Sequence, residues 1–272
     1  MGKPSSTILM LMTITFLLMC LSGISVNAGE KLTIVGSTTV QPIVEASAQI
    51  FKKDNPGVEI VIGGGGSSNG IKNAGLGKVD IEMASRKLKD KETAEHPELK
   101  SVSIGLDGVA IIVNKENPVK LITKEQLLKI YTGLIVNWKE LGGNDLPIDI
   151  IGILLKHGTA EVFMEYVGLD GVEEGEGDKK SIRYQVKGSE QKGNITAQGA
   201  DGNQPACAAV MTKPNAIAYA SIGVAEELVE KGAKIKLLTL ENEEPTIANV
   251  KAGNYPLSRP LLVMTKGEAI GA

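Results

Sequence analysis

From Lys31 onward, short apolar runs alternate with amphipathic stretches. "KLTIV" at 31–35 is rich in β-branched residues and predicts a strand. The stretch "TTVQPIVEASAQIFKKD" then sets Val40, Ile43, Val44, Ile50 and Phe51 at helical spacing. "VEIVI" and "VDIEMA" predict two further strands on either side of "GGGGSSNGIKNAGLGK". "GVAIIVN" at 108–114 is apolar throughout, as expected of a strand covered on both faces. Beyond Asn117, "TKEQLLKIYTG" predicts a Thr-capped helix, "LPIDIIGI" a strand and "GTAEVFMEYVG" another helix. Residues 168–202 are rich in Gly, Glu and Lys without clear period, and predict surface loop with one strand. A short helix near 204–212 and the apolar strand "AIAYASIG" follow.

This β-α-β-α rhythm predicts an α/β fold with largely parallel sheet. The similar runs "GVAIIVN" and "AIAYASIG" read as two crossings between domains. They predict a discontinuous first α/β domain, residues 29–112 plus 217–272, and an inserted second one, residues 113–216.

Composition narrows the function. With 272 residues, 22% of them charged and a net charge of −3, the chain suits one or two soluble domains. It has no general field for nucleic acid, so any anion specificity must be local. Aromatics at 3% leave little for stacking on sugars or bases. At the N-terminus, Lys3 precedes the apolar run 8–21 and the small-residue stretch "SGISVNAGE". This reads as a secretory signal peptide, residues 1–28, with a Val26-x-Ala28 cleavage site. An uncleaved anchor is the alternative; lipidation at Cys20 is weaker, because Met19 is bulky where a small residue is usual. The expected location is periplasmic or at the extracellular surface. With the signal removed, Cys207 is the sole thiol and no intramolecular disulfide can form.

Three strand-to-helix turns share one design. "IVGSTTVQPI" puts Ser37, Thr38 and Thr39 at a helix start, "VIGGGGSSNGI" puts Ser67 and Ser68 at another, and "IIGILLKHGTAEVF" puts Gly158 and Thr159 at a third. A helix N-terminus offers unpaired N–H groups and a positive dipole end, glycines admit close approach, and hydroxyls add neutral donors. Three such corners facing one cleft make an anion cage with little formal charge. Any one of them alone reads first as an ordinary structural Ser/Thr cap, and it is the conjunction of three that points to a site. The Gly-Lys-Ser/Thr of a nucleotide-binding P-loop is missing.

The ordered set "GSTTVQPI", "GGGGSSNGIKNAGLGKVDIEMASRKLK", "GLDGVAIIVNKENPV", "IYTGLIVNWKELGG", "NAIAYASIG" and "EPTIANVKAGNYPLSRPLLVMTKGEA" resembles the substrate-binding proteins of phosphate ABC transporters (PstS-type) from about residue 31 to 268. The resemblance implies a two-lobed type 2 periplasmic-binding fold, each lobe a mainly parallel sheet flanked by helices, closing by a hinge over one oxyanion. It implies a membrane ABC permease with its ATPase as partner, a monomer, no cofactor and no catalysis. By position it marks Thr38 and Thr39 as the first ligand corner, Ser67 as the second, Ser85 with Arg86 beyond it, and Gly158 with Thr159 as the third. Asp107, in "GLDGVA", resembles the Asp-Gly of one subgroup and is the candidate acceptor; a turn aspartate is the alternative. An acceptor matters because hydrogen phosphate keeps a proton that sulfate lacks.

The third corner departs from the family pattern. Ile153 stands where the family has Arg, Leu154 where it has an acid, Lys156 at a Gly, His157 at a Ser and Ala160 at a frequent Arg. The bidentate guanidinium is therefore expected to be missing. Lys156 and His157 are candidates to restore charge, His157 being equally readable as a surface residue. Family chains continue into a C-terminal helix beyond the point where this sequence stops at Ala272, so that cover over the first domain is expected to be missing. Sulfate, molybdate or tungstate binding, a secreted sensor or scavenger, and a phosphatase-like enzyme are the alternatives. No G-x-S-x-G elbow, paired carboxylates or zinc spacing supports catalysis or a metal. The acids Glu173, Glu174, Glu176 and Asp178 read as a solvated loop, and Trp138 as a packing residue.

Overall fold

The first apolar runs form strands and helices where their periods place them. The computed structural model describes residues 31–189 and 195–268, and the chain divides into two packed units. Unit 1 comprises Met1–Gly105 and Pro260–Ala272; unit 2 comprises Leu106–Arg259. The expected signal segment and Cys20 lie outside the described residues. Among the described residues no helix is long and apolar enough to cross a membrane.

Unit 1 runs β1 (Lys31–Gly36), α1 (Gln41–Asp54), β2 (Glu59–Gly63), α2 (Ser67–Gly75), β3 (Ile81–Ala84) and α3 (Asp90–Glu95) into β4 (Leu99–Asn114). β2, β1 and β3 lie parallel, with Ile34 opposite both Ile62 and Ile81. The final strand, Ser258–Lys266, adds antiparallel to β3 and sets Met264 opposite Glu82. α1 buries Val44, Ala48 and Phe51 from its apolar stripe, each large side chain contributing roughly 1.5–3 kcal/mol. Ile34, Val40 and Met83 form one cluster of the unit's core, and Ile71, Ala84 and Met264 another.

Unit 2 adds β5 (Leu121–Ile122), α4 (Lys124–Thr132), β6 (Asp149–Ile153), α5 (Gly158–Val167), β7 (Leu169–Glu174), β8 (Ser181–Val186), β9 (Thr196–Ala200), α6 (Asn203–Thr212), β10 (Ala216–Ser221), α7 (Ile222–Glu230), β11 (Ile235–Leu240) and α8 (Ile247–Ala252). Its strand order is β5-β11-β4-β10-β6-β9-β8-β7. β10, β6 and β9 are parallel, whereas β4 runs antiparallel to both β10 and β11. The α/β class therefore stands, with parallel pairing dominant in unit 1 and a mixed sheet in unit 2. Trp138 packs in this core, its indole N–H donating to the Asn215 carbonyl at 2.8 Å. Cys207 is a buried free thiol, pushed up to about 12 by desolvation.

Two expectations need correction. The runs "GVAIIVN" and "AIAYASIG" pair with each other, Val113 opposite Ile217 and Val109 opposite Ser221, near the centre of the unit 2 sheet. Their continuous apolarity reports burial on both faces rather than a passage between domains. The division accordingly falls at 105/106 and 259/260, not at 112/113 and 216/217. Residues 168–202, read as loop with one strand, hold β7, β8 and β9. The period-2 signal is weak because Leu169, Ile182 and Tyr184 are the buried apolar residues of the β7–β8 hairpin, while its outward positions mix Asp170, Val172, Glu174, Ser181, Arg183 and Gln185. Glu174 and Arg183 face each other there as a fork with two contacts of 2.8 Å, so the acidic run is partly strand.

Gly36 is held at φ 134°, and a Cβ there would lie 2.2 Å from the Met83 carbonyl oxygen. Gly36→Ala is expected to cost more than about 2 kcal/mol through strain and the broken β1–β3 contact. Urea unfolding checks this, and an unchanged midpoint would contradict it.

Candidate functional site

Unit 1 carries two of the expected corners. β1 delivers the chain to Ser37, whose N–H donates to the Met83 carbonyl at 2.6 Å. The Ser37 carbonyl accepts from Val40 and Gln41, and its hydroxyl accepts the Thr39 N–H at 3.2 Å. Ser37 thus organises the turn, and the Thr39 N–H expected to face an anion has a local acceptor. Thr38 is half-buried and Thr39 buried at this corner.

The second corner begins with Gly65 and Gly66, both at positive φ, where a side chain would strain the turn. They open α2 at Ser67, which is fully buried. The Ser85 N–H donates to the Ser67 hydroxyl at 3.1 Å, and the two hydroxyl oxygens lie 3.5 Å apart. Two residues selected from separate motifs are therefore brought together. Arg86 is placed otherwise than expected. Its Nη1 and Nη2 donate to Glu92 at 2.7 Å each, and Nη2 reaches the Ser68 hydroxyl at 3.0 Å. Burial opposes the Glu92 charge, but the Arg86 fork and the Lys89 N–H outweigh it and hold the carboxyl below its ordinary value. Arg86 is a committed structural cation that fixes α3 and Ser68.

Unit 2 carries the third corner, between β6 and α5. Ile153 and Leu154 are core residues, and Leu154 passes its N–H to the Ala200 carbonyl at 3.0 Å. The Ile153 N–H donates to the Tyr219 hydroxyl at 3.1 Å, itself 2.9 Å from the Tyr184 hydroxyl. Leu155 gives its N–H to Glu173 at 2.6 Å. Apolar residues enter this turn because they anchor it to the sheet. Gly158 and Thr159 then open the helix, so their N–H groups belong to the unpaired first turn.

His157 is not a surface residue. It is 2% exposed, and its Nε2 lies 2.7 Å from Asp201, which also takes Lys156 at 2.8 Å. Burial, the largest influence, pushes His157 below its ordinary value against the pull of Asp201. Asp201 keeps its charge more readily than a free aspartate: desolvation works against it, but hydrogen bonds from Lys156 and His157 prevail.

A guanidinium from the end of unit 2 reaches the third corner. Arg259, 2% exposed, donates Nη1 to the Thr159 hydroxyl at 2.9 Å. Its Nε and Nη2 both donate to Asp107 Oδ2, at 3.1 and 2.8 Å, while Asp107 Oδ1 accepts the Gly223 N–H at 3.4 Å. Thr159 in turn donates to Asn203 Oδ1 at 3.3 Å, which also accepts the Ser221 N–H at 3.0 Å. Asp107 is therefore paired with a cation rather than held in reserve as an acceptor. Sequence reasoning missed Arg259 and Asn203. The available signal was one arginine inside the apolar run "YPLSRPLLVM". This arrangement presents neutral hydroxyls and helix N–H groups, with one guanidinium oriented by a carboxylate, which suits an oxyanion.

Arg259→Met is expected to cost about 3–5 kcal/mol, because it strands Asp107 as a buried carboxylate. Combining it with Asp107→Asn should cost less than the sum of the two single changes. Additive losses in a denaturant cycle would contradict the pairing. Asp201→Asn should lower the His157 pKa further, since the carboxylate pulls it upward. An NMR titration in which the His157 resonance moves the other way would contradict that.

Comparison with known proteins shows the family of the chain. The PBP superfamily domain matches residues 24–272. The phosphate-binding protein PstS of Bacillus subtilis (strain 168) is 33% identical over 245 residues, spanning 90% of this chain and 73% of the relative. A Clostridium perfringens protein, assigned as a phosphate ABC transporter substrate-binding protein and crystallised with bound phosphate, superposes with a TM-score of 0.73. It is 38% identical, covering 87% of this chain and 86% of its own. An ABC-type phosphate transport receptor from Vibrio cholerae gives a TM-score of 0.64 at 31% identity, over 87% of each chain.

Proposed function

For a chain that belongs to the PBP superfamily, and within it to the PstS phosphate-binding proteins, we propose the capture of inorganic phosphate outside the cytoplasm and its delivery to a membrane ABC permease. The observation that carries this reading is similarity to a protein crystallised with phosphate, at 38% identity over 87% of the chain. The N-terminal signal pattern supports export, and the ABC permease with its ATPase is the partner that the relatives' names suggest. The action is binding rather than catalysis.

Unit 1 would offer Thr38, Thr39, Ser67 and Ser85. Unit 2 would offer the N–H groups of Gly158 and Thr159, the Thr159 hydroxyl and Arg259. The Arg259 fork is already aimed at Thr159 by Asp107, so little conformational freedom is lost when an anion arrives. Arg86 would act through Ser68 and α3 rather than on the ligand, and Asp107 through Arg259.

Calorimetric titration of residues 29–272 with phosphate and with sulfate tests the reading. Phosphate is expected to bind at least tenfold more tightly, about 1.4 kcal/mol. Equal or tighter sulfate binding would favour another oxyanion, and no phosphate binding would favour a sensor or scavenger role. Thr159→Ala removes a hydroxyl that both Arg259 and Asn203 use, and should weaken phosphate by roughly 1–3 kcal/mol.

A further inference from the structure

β3 carries a carboxyl group into the interior of unit 1 that the reading above does not use. Glu82 is 0% exposed, and neither of its carboxyl oxygens has a hydrogen-bond partner. Buried polar groups are nearly always partnered, so an exception needs a reason.

Its position supplies one. A Cβ on Gly70, in the first turns of α2, would fall 2.8 Å from both Cγ and Oε1 of Glu82. The same point lies 2.9 Å from the Cα of Gly36. Gly36 immediately precedes Ser37, and Gly70 follows Ser67 by less than one helical turn. The carboxyl therefore lies under the place where the two unit 1 corners meet, in space that glycines at 36 and 70 leave open.

No cation is assigned to Glu82. Arg86, four residues further along the chain, directs its fork at Glu92. Of the other charged side chains on the packed elements, Lys31 on β1, Lys72 on α2 and Lys266 on the final strand are exposed, and Arg259, at the start of the final strand, is buried but committed to Asp107. Burial holds Glu82 well above the usual carboxylate range; Arg86 pulls it down and Glu92 pushes it up. An enclosed carboxylate without a partner is far costlier than the neutral acid.

We propose that Glu82 is a positioning residue that ties anion binding at the Ser37 and Ser67 corners to a proton: the neutral acid tolerates an anion above it, and the carboxylate opposes one. This rests on the oxyanion reading of these corners. The coupling is reciprocal, so a bound anion favours protonated Glu82 and loss of that proton weakens the anion. Sulfate and phosphate would feel it alike, because it acts through charge. The helix N-termini give the corner its attraction, and Glu82 sets the pH above which that attraction fades.

The experiment compares phosphate affinity of the full mature chain and Glu82→Gln across neutral to alkaline pH. Gln keeps the shape and cannot ionise, and the ratio of the two cancels phosphate's own titration. Wild-type affinity should fall relative to Glu82→Gln by up to about tenfold per pH unit above the Glu82 pKa. A second readout needs no variant. At alkaline pH, where phosphate carries no further proton change, binding to the wild-type chain should take up a proton, seen as a buffer-dependent calorimetric enthalpy. Superimposable pH profiles, or no proton uptake, would overturn the coupling while leaving phosphate binding intact. A wild-type chain that binds no phosphate at any pH would overturn both this inference and the function it rests on.

Discussion

The buried pair of Asp107 and Arg259 is the constraint on which much of unit 2 depends. The two residues lie 152 positions apart, close to the first and last residues of the unit. Closing so long a segment costs chain entropy that must be offset where its ends meet. A paired fork does that, but two buried charges carry a desolvation cost that only good geometry offsets. The geometry is good: Asp107 accepts twice from the guanidinium, and the remaining arm of Arg259 is taken by Thr159. One ion pair thereby ties down the ends of the unit and orients a hydroxyl at the opening turn of α5.

Both units meet the same electrostatic demand in a similar way. Each buried cation near a corner is matched by its own carboxylate, Arg86 by Glu92 and Arg259 by Asp107. In the proposed reading, attraction for an anion would then rest largely on hydroxyls and helix N–H groups, whose partial charges need no counter-ion, beside an Arg259 guanidinium already matched by Asp107. Such donors are fixed in advance by short contacts, including Ser85 to Ser67 and Ser37 to Met83. Selectivity drawn from fixed donors depends on geometry more than on net charge.

Most of the fold was legible because burial leaves a period. β1, α1, β2 and the apolar β4 were readable from apolar spacing, and the glycine turns from residues that only certain backbone angles need. The β7–β8 hairpin was not readable, because its inward residues are few and its outward ones resemble a loop. Domain limits were misplaced for a related reason: an apolar run reports burial and says nothing of which unit buries it. The corners at Ser67 and Gly158 were visible as glycine–hydroxyl punctuation. Arg259 was not, since its partners at 107 and 159 are remote in sequence and only the fold brings them together. His157 and Asp201 are remote from each other in the same way.

Ile153 and Leu154, the residues that looked out of place beside an anion turn, bear on how the protein meets different media. They hold the third corner through the apolar core and through backbone hydrogen bonds to Tyr219 and Ala200. Dissolved ions screen exposed charges over about 10 Å at 0.1 M salt, yet have little hold on apolar packing. A turn seated in this way keeps its shape in brackish or dilute surroundings alike. For the export proposed above, into surroundings whose ionic strength the cell does not regulate, an oily foundation is the steadier one.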